Sequence, residues 1–115
     1  MSLLDTPNLQ ALARYLNVVA FRQGLVAQNV ANIDTPGYHT RDVNFRRELQ
    51  KALGSEPVSP VSQDVPGLLQ RPDGNNVSLD REGLLMAETQ LQFRTGVQLL
   101  RAEFRRLQSA IQEGK

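Results

Sequence analysis

The stretch Ala31-Asn32-Ile33-Asp34-Thr35-Pro36-Gly37-Tyr38 sits where a long apolar-periodic segment has to stop. Pro36 has no backbone N–H and disfavours the α conformation at Thr35. Gly37 readily adopts positive φ. Asn32 and Asp34 carry short polar side chains able to bond the backbone groups that a helix end frees. The block reads as a built turn that ends a helix and re-aims the chain. Asn29 and Asn32 fall in the last helical turn, where orphan carbonyls need donors, and Tyr38 joins an apolar ring to a polar tip suited to a subunit contact. With no nucleophile, acid–base pair or metal-ligand cluster, the block points to assembly rather than catalysis.

Upstream of the turn, Thr6 can cap a helix with Pro7 at its first position. Leu9, Leu12, Leu16, Val19, Gln23, Val26, Val30 and Ile33 then alternate steps of three and four, the spacing of a heptad seam. Gln23 interrupts the row, and Gly24 beside it weakens the middle of the helix. Pro7 to Asn32 would span roughly 40 Å.

Downstream, Arg41 to Leu53 predicts a short helix with Asp42 or Asn44 as cap, Gly54 as terminator, and Phe45, Leu49 and Leu53 on one face. Pro57, Pro60, Pro66 and Pro72 then break all periodicity, leaving a loop with a short extended stretch near Val65 to Leu69. Ser78 or Asp80 can cap a last helix running to Gln112. Its seam is Met86, Gln90, Phe93, Val97, Leu100, Phe104, Leu107 and Ile111.

Two long seams are buried most simply against each other. The expectation is one all-α domain over residues 1–115. A long helix (1–33) precedes the turn motif and short helix (34–54), a Pro-rich loop (55–77) and a second long helix (78–115). The long helices pair as an antiparallel, coiled-coil-like hairpin, and no sustained alternation predicts a sheet. Leu25, Leu79, Leu84, Leu91 and Leu99 lie off the seams, which suits either further helix neighbours or a broader core face within one subunit.

Composition narrows the function. Apolar content of 40% with 5% aromatic and no Trp allows only a thin core. A net charge of +1 gives no strong field for nucleic acid or acidic membranes, and favours packing many copies together. The absence of Cys excludes disulfides, thiol catalysis and Cys-based zinc sites. Met1 to Asp5 lacks the basic region and apolar run of a signal peptide, and no apolar run exceeds the length of Val18 to Phe21, so no membrane span is expected. His39, with only Asp34 and Asp42 near it in sequence, makes a poor metal site. Ser55, Ser59 and Ser62 have no base partner. Arg101, Arg105 and Arg106 interleave with Glu103 and Glu113, as on a solvated or salt-bridged face rather than a nucleic-acid stripe. No enzymatic activity, cofactor, metal, nucleic acid or small-molecule substrate is expected.

Asn29-Val30-Ala31-Asn32-Ile33-Asp34-Thr35-Pro36-Gly37-Tyr38 also resembles the N-terminal motif of the flagellar axial family, the rod, hook and hook-associated proteins. Arg41-Asp42-Val43-Asn44-Phe45 is similar to its FlgB-type proximal rod subunits. Gly74 to Glu82, Met86-Ala87-Glu88 and Ala110 to Lys115 carry the same likeness. The resemblance implies a structural subunit of the proximal rod, part of the hollow drive shaft of the bacterial flagellar basal body. It would leave the cell through the flagellar type III export channel without a cleaved signal peptide and assemble in the periplasm. The implied neighbours are the rod proteins FlgC, FlgF and FlgG, the adaptor FliE, the export gate and the MS ring. The alternatives are a related axial subunit of the FlgC type and a non-flagellar helical adaptor.

Overall fold

The computed structural model describes residues 6–54 and 59–114; Met1 to Asp5, Ser55 and Pro57, named above, lie outside them. Helix α1 covers Pro7–Ala31, with Thr6 as N-cap, its side chain accepting from the Leu9 N–H at 3.2 Å, and Asn32 as C-cap. A two-residue strand, β1 (Arg41–Asp42), precedes helix α2 (Phe45–Ala52). Asn44 Oδ1 caps α2 by accepting from the Arg47 N–H at 3.1 Å. Strand β2 (Gln63–Asp64) lies antiparallel to β1, with Arg41 opposite Asp64 and Asp42 opposite Gln63. Helix α3 covers Leu79–Glu113, and Ser78 caps it through the Arg81 N–H at 3.2 Å. The molecule is extended, 68 × 26 × 18 Å.

Two boundaries depart from the sequence reading. The short helix starts at Phe45 rather than Arg41, because the Asp42 carboxylate is occupied by arginines and by the Val43 N–H and is not free to cap. The extended stretch falls at Gln63–Asp64, not Val65 to Leu69. The Arg41 guanidinium holds Asp64 at 2.8 Å and the Ser62 carbonyl at 3.0 Å, which pins the ribbon there. Beyond it, Pro66 has no donor to give and Gly67 turns the chain at φ +79. The fold is therefore mostly helical with a small β ribbon, too short for alternation to announce it.

Helix α1 packs against α3, α2 and β1. The Tyr15 hydroxyl donates to the Gln92 carbonyl at 3.4 Å, and Asn29 reaches Glu82. The Tyr15 ring also meets Phe45 edge-on at 6.3 Å, so it bridges α3 and α2, and the Arg22 guanidinium stacks over Phe45 at 5.7 Å.

The row that α3 buries is Glu82, Leu85, Thr89, Gly96 and Leu107, offset by about one residue from the expected seam over most of the helix. Of that seam only Leu107 is buried; Val97 and Leu100 are half-buried, and Phe93, Phe104 and Ile111 are exposed. The cause is close approach at Gly96, where the missing side chain leaves room for Leu16 and the Tyr15 ring. On α1, Leu9, Val19 and Val26 are buried, Leu12 and Leu16 half-buried, and Val30 exposed. Val18 and Leu25, off the expected seam, are buried as well.

Gly96 yields a test. A Cβ there would stand 2.6 Å from a Leu16 methyl and 3.1 Å from the Tyr15 ring. The Leu16 methyl can swing aside, so Gly96→Ala should lie within about 1 kcal/mol of the parent, helped by helix propensity. Gly96→Leu must displace the ring and should destabilise by about 1–3 kcal/mol. Thermal unfolding of the purified subunit, followed by circular dichroism, separates the two.

Candidate functional site

After α1 the chain turns through 3₁₀-like bonds: Ile33 N–H to the Val30 carbonyl, Thr35 N–H to Asn32, and Tyr38 N–H to Thr35, at 3.0–3.2 Å. Asn32 Nδ2 donates to the orphan Gln28 carbonyl at 2.8 Å, and Thr35 Oγ1 bonds Asn32 Oδ1 at 3.0 Å. Pro36 is exposed, and Gly37 sits at φ +75.

A loop just before α3 clasps this turn. The Gly37 N–H donates to the Asp73 carbonyl at 2.9 Å. Asn75, fully buried, donates through Nδ2 to the Asn32 carbonyl at 2.9 Å and the Thr35 carbonyl at 2.8 Å. Arg71 donates to the Ile33 carbonyl, and Asn76 Oδ1 accepts from the Thr40 N–H at 2.7 Å. Gly74, at φ +86, approaches so closely that a Cβ on it would lie 3.2 Å from Gly37 Cα.

Below the clasp lies a buried polar joint. Asn29, 1% exposed, donates to the Arg41 carbonyl at 2.8 Å and to Glu82, while its Oδ1 accepts from the Tyr38 hydroxyl at 3.0 Å and the Arg41 N–H at 3.1 Å. Asp42 receives Arg22 in a two-pronged pair at 3.0 and 3.1 Å, Arg81 at 2.5 Å and the Val43 N–H at 2.7 Å. Arg81 also holds Glu82 at 3.2 Å. Burial acts to raise the Asp42 pKa, but the arginines and the Val43 N–H outweigh it and hold the carboxyl below its ordinary range. At Glu82 burial prevails, aided by the Asp42 charge and opposed by Asn29 and Arg81, and the pKa is raised. Burial and the Glu82 charge also raise the Tyr38 phenol.

Two neighbouring carboxylates with pKa values pushed apart are the raw material of acid–base chemistry. Here each oxygen faces fixed donors from its own chain, and a cavity of about 500 Å³ beside Arg14, Val18, Phe21 and Pro60 touches neither carboxylate. Among the described residues no group of three or more His, Cys, Asp or Glu side chains gathers to hold a metal. The arrangement ties three segments together.

The structure brings Asn29, Asn32, Thr35, Gly37 and Tyr38 into this one region. The Tyr38 hydroxyl is committed inside the subunit. Sequence reasoning gave no role to Arg22, Arg81, Glu82 and Asn75. The legible signal was local: Gly74-Asn75-Asn76 is turn chemistry, and a Glu in a helix's first turn suits the helix dipole.

Gly37 has open space around its Cβ position, whereas Gly74 does not. Gly37→Asn, which tolerates left-handed φ, should be mild, Gly37→Val should cost about 1–2 kcal/mol, and Gly74→Asn should be as damaging as Gly37→Val despite its tolerant backbone. Thermal unfolding of the three variants gives the order.

Asp42→Asn should cost about 3 kcal/mol at neutral pH, because it leaves the partly buried Arg22 guanidinium without its carboxylate and Arg81 with Glu82 alone. A carboxyl with a lowered folded pKa stabilises above its unfolded pKa and loses that contribution as pH falls through the folded one. The gap between Asp42→Asn and the parent should therefore shrink below about pH 4. Glu82, with its pKa raised, works oppositely and is present in both proteins. Denaturant melts at pH 7 and pH 3 check the narrowing.

No protein-family model matches the chain. Flagellar basal body rod protein FlgB of Salmonella typhimurium is 34% identical, the match covering 86% of this chain and 88% of that protein. FlgB of Escherichia coli is 32% identical over the same shares. FlgB of Borrelia hermsii is 29% identical, covering 68% of this chain and 76% of its own. A turn clasped by a distant loop, a buried joint without open chemistry, and relatives matched over most of their length agree: the chain belongs to the FlgB family of flagellar basal body rod proteins.

Proposed function

We infer that this chain is a structural subunit of the flagellar basal body rod, placed in its proximal part and forming part of the hollow drive shaft. The match to FlgB over 86% of the chain and 88% of the Salmonella protein carries the reading. Packing is the mechanism. The residues act as a single rod-subunit domain whose two long helices form an antiparallel, coiled-coil-like hairpin. Contacts that pair Tyr15 with Gln92 and Asn29 with Glu82, in opposite chain directions, support that pairing. The clasped turn sets the angle at which the hairpin meets its surroundings. The Asp42–Glu82 joint serves this structural role, and the protein is not an enzyme.

The location is the flagellar basal body, reached by type III export without a cleaved signal peptide. No helix among the described residues is long and apolar enough to cross a membrane. The neighbours are other rod components, by this reading FlgC, FlgF and FlgG, together with FliE, the export gate and the MS ring. Deleting the gene should leave cells non-motile and without rods or hooks, and a tagged copy should restore both and locate to the rod base in purified basal bodies. Motile deletion cells, or a tag that stays in the cytosol, would return the reading to a helical adaptor.

A further inference from the structure

Glu82 lies in the first turn of α3 with 0% exposure, yet of the two carboxylates in the joint it has less to hold it. Asp42 takes the two-pronged Arg22, the nearer contact of Arg81 at 2.5 Å and the Val43 N–H. Glu82 is left with Asn29 Nδ2 on one oxygen and the farther contact of Arg81, at 3.2 Å, on the other. One guanidinium thus serves two buried carboxylates, and serves Asp42 better. Glu82 keeps its negative charge against a desolvation cost that its bonds only partly offset.

The surrounding elements supply no further counter-charge. From α1 come Arg22, committed to Asp42, and the neutral amide of Asn29. From β1 come Asp42 itself and Arg41, whose guanidinium is bonded to Asp64 of β2 and to Ser62. From the turn comes the Tyr38 hydroxyl, which donates to Asn29 Oδ1. Helix α3 adds Arg81 and the exposed Asp80. On α2 the buried Glu48 is paired with Lys51 of its own helix at 3.1 Å. A proton on Glu82 removes one buried charge and leaves Asp42 facing both guanidiniums. That excess is tolerable, because the Arg81 side chain is 24% exposed and water can reach it. Burial pushes the Glu82 carboxyl up, and the arginines hold Asp42 down, the order that the geometry gives.

We propose that Glu82 is a proton-operated latch between the end of α1 and the start of α3, taking up one proton on mild acidification while Asp42 stays ionised. In the ionised state Asn29 and Arg81 make charge-assisted bonds to Glu82, and the tie between the two helices is at its firmest. In the protonated state those bonds weaken and the burial cost disappears. Acidification therefore slackens the tie at Asn29 without unfolding the subunit. A carboxyl with a raised folded pKa opposes folding above that pKa, and the opposition is gone below its unfolded one. The subunit thus gains stability from Glu82 as pH falls, until Asp42 begins to protonate.

Nuclear magnetic resonance of the isotopically labelled full chain reads the latch directly. Between about pH 7 and about pH 4, the Glu82 carboxyl carbon and an Asn29 side-chain amide proton should titrate together, with a midpoint above the ordinary glutamate value of about 4.3. The amide proton should move upfield as its charged acceptor is lost. The midpoint should be unchanged in His39→Gln, which removes the chain's one histidine. Glu82→Gln should abolish the Asn29 titration. In denaturant melts, the unfolding constant of the parent relative to Glu82→Gln should rise several-fold from about pH 4 to about pH 7, since only the parent acquires a buried charge. An Asn29 signal that stays fixed over this range overturns the proposal. So does a Glu82 carboxyl that titrates at or below the ordinary value, or an Asn29 titration that persists in Glu82→Gln. The carboxyl and amide readings use the parental chain, so they decide even where Glu82→Gln fails to fold.

Discussion

A carboxylate taken out of water must be given fixed donors or it will not stay ionised, and that constraint organises this subunit. Asp42 sits on a two-residue strand, yet its donors come from the middle of α1 and the first turn of α3. Asn29 does the same from the end of α1, holding the backbone on both sides of Arg41 and the buried Glu82. Bare apolar contact would let two thin helices slide or rotate. A set of directional bonds with no water to replace them allows one register only.

That register explains the clasp above it. Once α1 and α3 are held at Asn29 and Glu82, the chain leaving α1 and the chain entering α3 run side by side. Gly37 and Gly74 let their backbones touch, and Asn75 satisfies carbonyls that the end of α1 leaves open. The bend is thus built from two segments distant in sequence, and neither has its hydrogen bonds complete without the other. A subunit that transmits torque or bears load gains from such a joint, since stiffness resides in many short bonds rather than in a thick core.

The same economy leaves apolar surface outside. With α3 seated through Thr89 and Gly96, its largest side chains flank the contact instead of filling it. The subunit is complete as a fold but incomplete as a surface, the condition expected of a chain that belongs to a family of rod proteins.

Much was legible from local chemistry. The cap at Thr6, the stop at Asn32 and the positive φ of Gly37 follow from bonds within a few residues, so the sequence determined them alone, whereas it left Asn44 and Ser78 each paired with a rival cap, Asp42 and Asp80. The motif around Asn29 to Tyr38 likewise pointed to the right family. Periodicity revealed that each long helix has an apolar stripe, but not which part of the stripe faces the partner. That choice fell to tertiary structure, because a glycine at 96 lets two backbones approach and turns Phe93 and Phe104 aside. Nor could sequence find the joint. Asp42 read only as a rival helix cap and Arg22 and Glu82 had no role, since their value lies in partners 20 to 53 residues away, and no local rule measures that distance.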